Sequence, residues 1–188
     1  MLCYNCSKPT FKIFCKKCEN ELSKLECKKR ILDDGLEIFS FYKYSNIKHL
    51  LNHKHYLSGY FILNKLAKLS FKRFDFKLDK SVIAIGLDDD ISSGYSHTAI
   101  LLKHFKKQNI TPIYNVLKAK NKIIYKGKSL SFRKRNKRNY YLAKTISSPV
   151  ILVDDILTTG ESMKQARKVL KKHKIQVLFG VVLADAKV

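Results

Sequence analysis

No apolar run in this chain is long enough to cross a membrane. The longest, near Pro149–Val153 and Val177–Ala184, fall far short of the ~20 residues that a spanning helix needs, which excludes an integral helical membrane protein. The N-terminus lacks a basic-then-apolar signal pattern and opens directly into Cys3 and Cys6. The expectation is therefore a soluble, cytoplasmic protein, with peripheral attachment at the inner membrane face left open. Internal repeats and low-complexity tracts are also missing. Acidic residues are scarce: 15 Asp and Glu stand against 38 Lys and Arg, a net charge of +23. Such an excess opposes compaction by self-repulsion and attracts polyanions, so nucleic acid, acidic lipid head groups and phosphorylated metabolites are the natural partners. Lysine-favouring codon usage is the bland source of the same figure. With 45% apolar and 11% aromatic residues, the chain can still bury a core, and wholesale disorder is excluded.

What is present suits one compact domain with a small appendage over 188 residues. A Glu/Lys-rich stretch from Glu19 to about Arg30 reads as a helix, Asp33-Asp34-Gly35 as a turn and Leu36–Tyr44 as a strand. Ile47, Leu50 and Leu51, then Leu57, Phe61, Leu63, Leu66 and Leu69, recur at helical spacing. From Val82 the rhythm is β-α-β-α-β: strand Val82–Gly86, helix Gly94–Lys107, strand Thr111–Leu117, a long basic segment to Lys144, strand Pro149–Val153, helix Glu161–His173 and strand Ile175–Leu183. Continuous apolar strands alternating with helices predict an α/β fold, a parallel sheet with helices on both faces. The division expected is a metal-binding module over 1–30 and an α/β domain over 36–188.

Cys3, Cys6, Cys15 and Cys18 have the spacing C-x2-C-x8-C-x2-C. Each close pair can grip one ion from a tight turn, and two pairs complete a tetrahedron. Lys8, Lys12, Lys16 and Lys17 stand nearby to favour thiolates. With four thiolate positions and none left for water, the ion is expected to be structural zinc, with a rubredoxin-type iron as the alternative. Cys27 stands apart and reads as a packed thiol. His49 and His53 are four residues apart but lack a carboxylate partner that would argue for metal.

The most informative segment is Val150–Ser162. A buried strand runs into Asp154 and Asp155; Ile156 and Leu157 follow, and Thr158, Thr159, Gly160, Glu161 and Ser162 open a helix. Ligands of open α/β sheets sit outside the carboxyl ends of strands, where this loop must lie. Helix-start N–H groups and the hydroxyls of Thr158, Thr159 and Ser162 suit a phosphate, with Gly160 permitting close approach. The two aspartates suit the 2′- and 3′-hydroxyls of a ribose. A capped helix needs one such side chain and leaves the paired acids, two threonines and glycine together unexplained.

This string resembles the signature by which type I phosphoribosyltransferases bind phosphoribosyl pyrophosphate (PRPP). The whole layout resembles the ComF family of bacterial competence proteins, in which a four-cysteine zinc module precedes a type I phosphoribosyltransferase-like domain. Leu130-Ser131-Phe132-Arg133-Lys134-Arg135-Asn136 adds a weaker similarity to that family. The resemblance implies PRPP at Asp154–Ser162 with Mg²⁺ alongside, Asp154 and Asp155 near the reacting centre, and a role in DNA uptake with other competence proteins. Two strings depart from the family: Ala84-Ile85-Gly86-Leu87 followed by Asp88-Asp89-Asp90, and Ser93-Gly94-Tyr95-Ser96. The three acids either gather Mg²⁺, repel pyrophosphate or form a solvated turn. An active transferase and a PRPP-sensing regulator that binds nucleic acid are the other functions this layout admits.

Residues 118–144 hold 11 basic residues and no acid. Tyr125, Phe132, Tyr140 and Tyr141 are interleaved with cations that include Arg133, Arg135 and Arg138. Rings that stack bases and cations that track phosphates are how single-stranded DNA is held without sequence preference. Packing of the same rings onto the sheet is the competing expectation.

Overall fold

The strand that begins at Val150 does not stop at Val153, where the apolar run ends. It continues to Leu157, and the rest of the sheet is arranged around it. The computed structural model describes all residues except 74, 76, 77, 88–90, 92, 93, 122–137 and 188. Within that range the strands are β1 (Lys28–Ile31), β2 (Glu37–Lys43), β3 (Val82–Gly86), β4 (Ile110–Ile113), β5 (Leu117–Ala119), β6 (Tyr140–Leu142), β7 (Val150–Leu157) and β8 (Val177–Asp185). The helices are α1 (Lys16–Leu22), α2 (Tyr44–Leu51), α3 (Leu57–Leu69), α4 (His97–His104) and α5 (Glu161–Lys172), and a 3-10 turn, Asn52–His55, links α2 to α3. Six strands form one sheet in the order β1-β2-β8-β7-β3-β4, and β5 and β6 pair separately. Every pairing in the large sheet is parallel except that of β1 with β2.

The pleat of β7 divides the core. Ile151 and Val153 belong to the apolar cluster built with α2, α3 and α4. Val150 and Leu152 belong to the cluster that takes Met163, Ala166 and Leu170 of α5, with Leu117 and Tyr140 of the β5–β6 hairpin. Successive strand residues face opposite sides, so the sheet is covered by helices on both faces, as the continuous apolar strands predict. The four-cysteine ribbon is part of the same body. Cys3, Phe14, Cys18 and Leu22 are buried in the α2/α3 cluster, Glu19 accepts from Lys65 of α3 at 2.5 Å, and Tyr4 meets His53 edge-on at 5.2 Å.

Several predicted boundaries move for identifiable reasons. The stretch read as a helix to Arg30 is helical only to Leu22, and Lys28–Ile31 pairs antiparallel with β2 across a turn in which Gly35 takes φ +79°. As an exposed edge strand rich in lysine, it lacks the apolar alternation that marks a strand. The helix expected from Gly94 begins at His97, because Gly94 is left-handed and Ser96 caps the helix by accepting from the Ala99 N–H at 3.0 Å. The predicted strand Thr111–Leu117 is divided by Asn115 at φ +58° into β4 and β5. Leu57, Phe61, Leu63, Leu66 and Leu69 do share one helix, α3, in which Leu57 and Phe61 are exposed. Asp88–Asp90 and Leu130–Asn136 lie outside the described residues.

Candidate functional site

The chain leaves β3 through α4 to β4 on one side, and leaves β7 through α5 to β8 on the other. With α4 and α5 on opposite faces, the crossovers diverge between β3 and β7. The crevice outside their carboxyl ends is where open α/β sheets bind ligands. Asp154 and Asp155 lie at that end of β7, and residues 158–160 lead into α5.

Because β7 runs through both aspartates, its pleat sends them to different neighbourhoods. The two acids form an asymmetric pair. Asp155 is buried, and Lys54 Nζ donates to its Oδ2 at 2.7 Å. His97 Nδ1 lies 3.9 Å from the same oxygen. The ring's Nε2 donates to the Lys54 carbonyl at 2.9 Å, and the Tyr95 hydroxyl donates to that carbonyl at 2.7 Å. Burial alone would raise the Asp155 pKa, but the Lys54 charge and its hydrogen bond, with His97, bring it down to about 2. Asp154 is half-buried and accepts from the Asp155 N–H at 2.9 Å. Burial and the adjacent Asp155 charge push it up to about 7, against the opposing charge of Arg138. Two neighbouring carboxylates therefore differ in protonation near neutral pH.

The loop is fixed from behind by the first strand. Arg30 of β1 donates from one terminal nitrogen to the Thr158 carbonyl at 3.0 Å. Its other terminal nitrogen stands 3.0 Å from Oδ1 of the fully buried Asp185, although the angle there is too oblique for a hydrogen bond. Gly160 is left-handed at φ +83°, and a Cβ there would meet Leu32 Cδ2 at 2.7 Å, so two independent constraints select glycine. Thr159 Oγ1 accepts from the Glu161 N–H at 3.4 Å. The Glu161 carboxylate is engaged by Lys164, which also holds Asp33 at 3.1 Å. Among the described residues, the N–H groups of Thr159 and Gly160 donate to nothing within the chain. Leu157 is in the core and Ile156 is half-buried, so those two residues support the loop with their side chains.

Arg138 and Tyr140, expected in a nucleic-acid surface, stand instead beside the loop. The Arg138 N–H donates to Gln165 Oε1 of α5 at 3.1 Å, and Arg138 Nη1 donates to the Tyr140 hydroxyl at 3.5 Å. Tyr140 is 5% exposed and sits in the α5-side core, so its ring faces are not open to a base; this corrects the stacking expectation for that residue. Tyr141 is 40% exposed and retains an open ring. Tyr125, Arg133 and Arg135 lie outside the described residues. Lys54, His97, Arg30 and Asp185 carry no motif that would have marked them in the sequence.

At the N-terminus one ligand atom from each of Cys3, Cys6, Cys15 and Cys18 lies within 4.8 Å of every other. Cys6 and Cys15 sulfurs are 3.7 Å apart. A tetrahedral ion with metal–sulfur bonds of about 2.3 Å requires edges of about 3.8 Å, so the set fits zinc. Burial opposes ionisation of Cys3, yet N–H donors lower its thiol to about 6, among them Cys15 at 3.3 Å. Cys27 is outside the cluster and exposed rather than packed. His49 and His53 are engaged by Asn5 and Ser58, and neither joins a metal cluster among the described residues. No helix of the described residues is long and apolar enough to cross a membrane.

No protein-family model matches the sequence, and no curated protein does either. Among solved structures, an adenine phosphoribosyltransferase aligns at 14% identity over 90% of this chain and 89% of its own, with a TM-score of 0.39. Orotate phosphoribosyltransferase from Aeropyrum pernix aligns at 18% identity over 90% and 80%, with a TM-score of 0.37. A hypoxanthine phosphoribosyltransferase from Staphylococcus aureus aligns at 17% identity over 65% of this chain and 60% of its own, with a TM-score of 0.35. At such scores the functional reading rests on the chain's own residues.

Proposed function

We propose that this protein binds the ribose 5-phosphate part of PRPP in the crevice above β3 and β7, and serves as a DNA-binding factor of bacterial natural competence. One observation carries the first half: the unengaged N–H groups of Thr159 and Gly160 stand at the divergence of the crossovers, next to two carboxylates. Phosphate would take the amides and the Thr158, Thr159 and Ser162 hydroxyls, and the ribose would take Asp154 and Asp155. Mg²⁺ would accompany the pyrophosphate and neutralise its charge. Zinc at Cys3, Cys6, Cys15 and Cys18 would hold the ribbon and do no chemistry.

The nucleic-acid half rests on the +23 charge and on where the described end of the basic segment, Arg138–Tyr140, lies. Arg138 and Tyr140 sit against α5 and Asp154 at one end of that segment, so a bound single strand and PRPP would compete. The transferase alternative draws on the unlike protonation of Asp154 and Asp155. Thermal melts with PRPP and with ribose 5-phosphate test the site. PRPP is expected to raise the melting temperature by mass action and ribose 5-phosphate to raise it less. No shift with either ligand rejects the reading, and turnover of PRPP with a panel of bases would favour the transferase.

A further inference from the structure

Resting on that reading, we propose that Arg30 is a positioning residue for the phosphate, holding the Thr158 carbonyl inward so that the following N–H faces the ligand. In a trans peptide the carbonyl and the next residue's N–H point to opposite sides. Arg30 takes the Thr158 carbonyl at 3.0 Å, so the Thr159 N–H is turned away from Arg30. That N–H and the Gly160 N–H donate to nothing in the chain among the described residues.

The brace is itself held. Asp185, the last residue of β8, is fully buried and faces the guanidinium at 3.0 Å. Its Oδ1 accepts from the Lys187 N–H at 2.9 Å, which fixes the carboxylate. Leu32, two residues beyond Arg30, fills the space behind Gly160. One short strand thus supplies both the polar and the apolar backing of the loop. A guanidinium suits this task because its planar fork can meet a carboxylate and a carbonyl at once, which a single ammonium cannot do with the same geometry. Strand β1 joins the sheet's outer edge through β2, away from the crevice, so Arg30 would act without touching ligand.

The test uses the full chain, its Arg30→Met variant and its Arg30→Lys variant, titrated with PRPP and with ribose 5-phosphate while backbone amide resonances are followed. In the wild type, the Thr159 and Gly160 amide signals are expected to shift as either ligand binds. In Arg30→Met both ligands are expected to bind at least about tenfold more weakly, by the same factor because they share the 5′-phosphate. The Thr159 signal should then fail to reach its wild-type bound position. Arg30→Lys keeps a charge beside Asp185 and is expected to fold even where the methionine variant does not, with an intermediate loss. Wild-type affinity and amide shifts in a folded Arg30 variant would overturn the inference and leave the ligand site standing. Failure of the wild type to bind either compound would instead overturn the site and this inference with it.

Discussion

Lys54 reaches Asp155 across 101 positions of sequence, its ammonium 2.7 Å from the carboxylate. The pair ties the 3-10 turn between α2 and α3 to the carboxyl end of β7, and both side chains are mostly withdrawn from water. Removing one member strands the other, whereas replacing both need not. Lys54→Met is therefore expected to lower stability by about 2 kcal/mol, less than a fully buried pair would lose. Combining it with Asp155→Leu should recover part of that loss. A denaturant series on the two variants checks this, and equal destabilisation in single and double variants would refute the pairing as the cause.

Stability should respond to pH in opposite senses through the two aspartates. Asp154 titrates at about 7 in the fold against an ordinary 3.8. Between about pH 4 and pH 7 the folded state keeps a proton that the unfolded chain has released, so Asp154 makes stability fall as pH rises. Asp155 is held near 2, and its contribution is lost as pH falls from about 4 to about 2. Asp154→Asn should flatten the decline between about pH 4 and pH 7, by on the order of 1–3 kcal/mol for a half-buried carboxyl. Melting temperatures across that range provide the measurement, and an unchanged slope would refute the assignment.

Gly160→Ala should weaken both the fold and the ligand site. A left-handed alanine costs about 1–2 kcal/mol, and its Cβ must also displace Leu32. The expected outcome is a fall of this order in unfolding free energy, with a smaller PRPP-induced melting shift than in the wild type. Wild-type stability would show that the loop is not held at φ +83°.

One zinc per chain is expected at Cys3, Cys6, Cys15 and Cys18. Replacing Cys15 and Cys18 by serine should release it and expose the ribbon to protease, because these thiolates close the site and Cys18 lies in the core. Elemental analysis and limited proteolysis report on this. Metal retained by the double variant would place it elsewhere.

Tyr141→Ala is expected to weaken binding of a single-stranded oligonucleotide by on the order of 1–3 kcal/mol per stacked base. Tyr140→Ala should mainly lower the melting temperature, since that ring is buried. Affinity should fall with salt at about −0.7 in log–log slope per phosphate neutralised. Filter binding distinguishes the two tyrosines, and equal affinities for wild type and Tyr141→Ala would remove Tyr141 from the interface.

The strand–loop–helix at residues 150–172 was legible because an apolar run, paired acids and a glycine carry their meaning in consecutive positions. The cysteine ribbon was legible for the same reason: spacing alone defines a tetrahedral set. Strand β1 was not, because an exposed edge strand of Lys28, Lys29 and Arg30 presents the polarity of a solvated helix. The separation of Asp154 from Asp155 depended on where β7 ends, and two polar residues after four apolar ones suggest a loop. Lys54, His97 and Arg30 join the site only through tertiary folding, and no local pattern announces a contact between residues 30 and 158.

The parallel pairing of β2 with β8, in which Ile38 lies opposite Gly180, also shapes how this protein is made. A nascent chain must carry the apolar strand containing Phe39 and Phe41 unpaired on that side until β8 emerges. Such distant partners impose a large loop-closure cost and slow folding. Until then an aromatic strand and the apolar residues of β7 are exposed together, which is the condition under which nascent proteins aggregate or recruit chaperones.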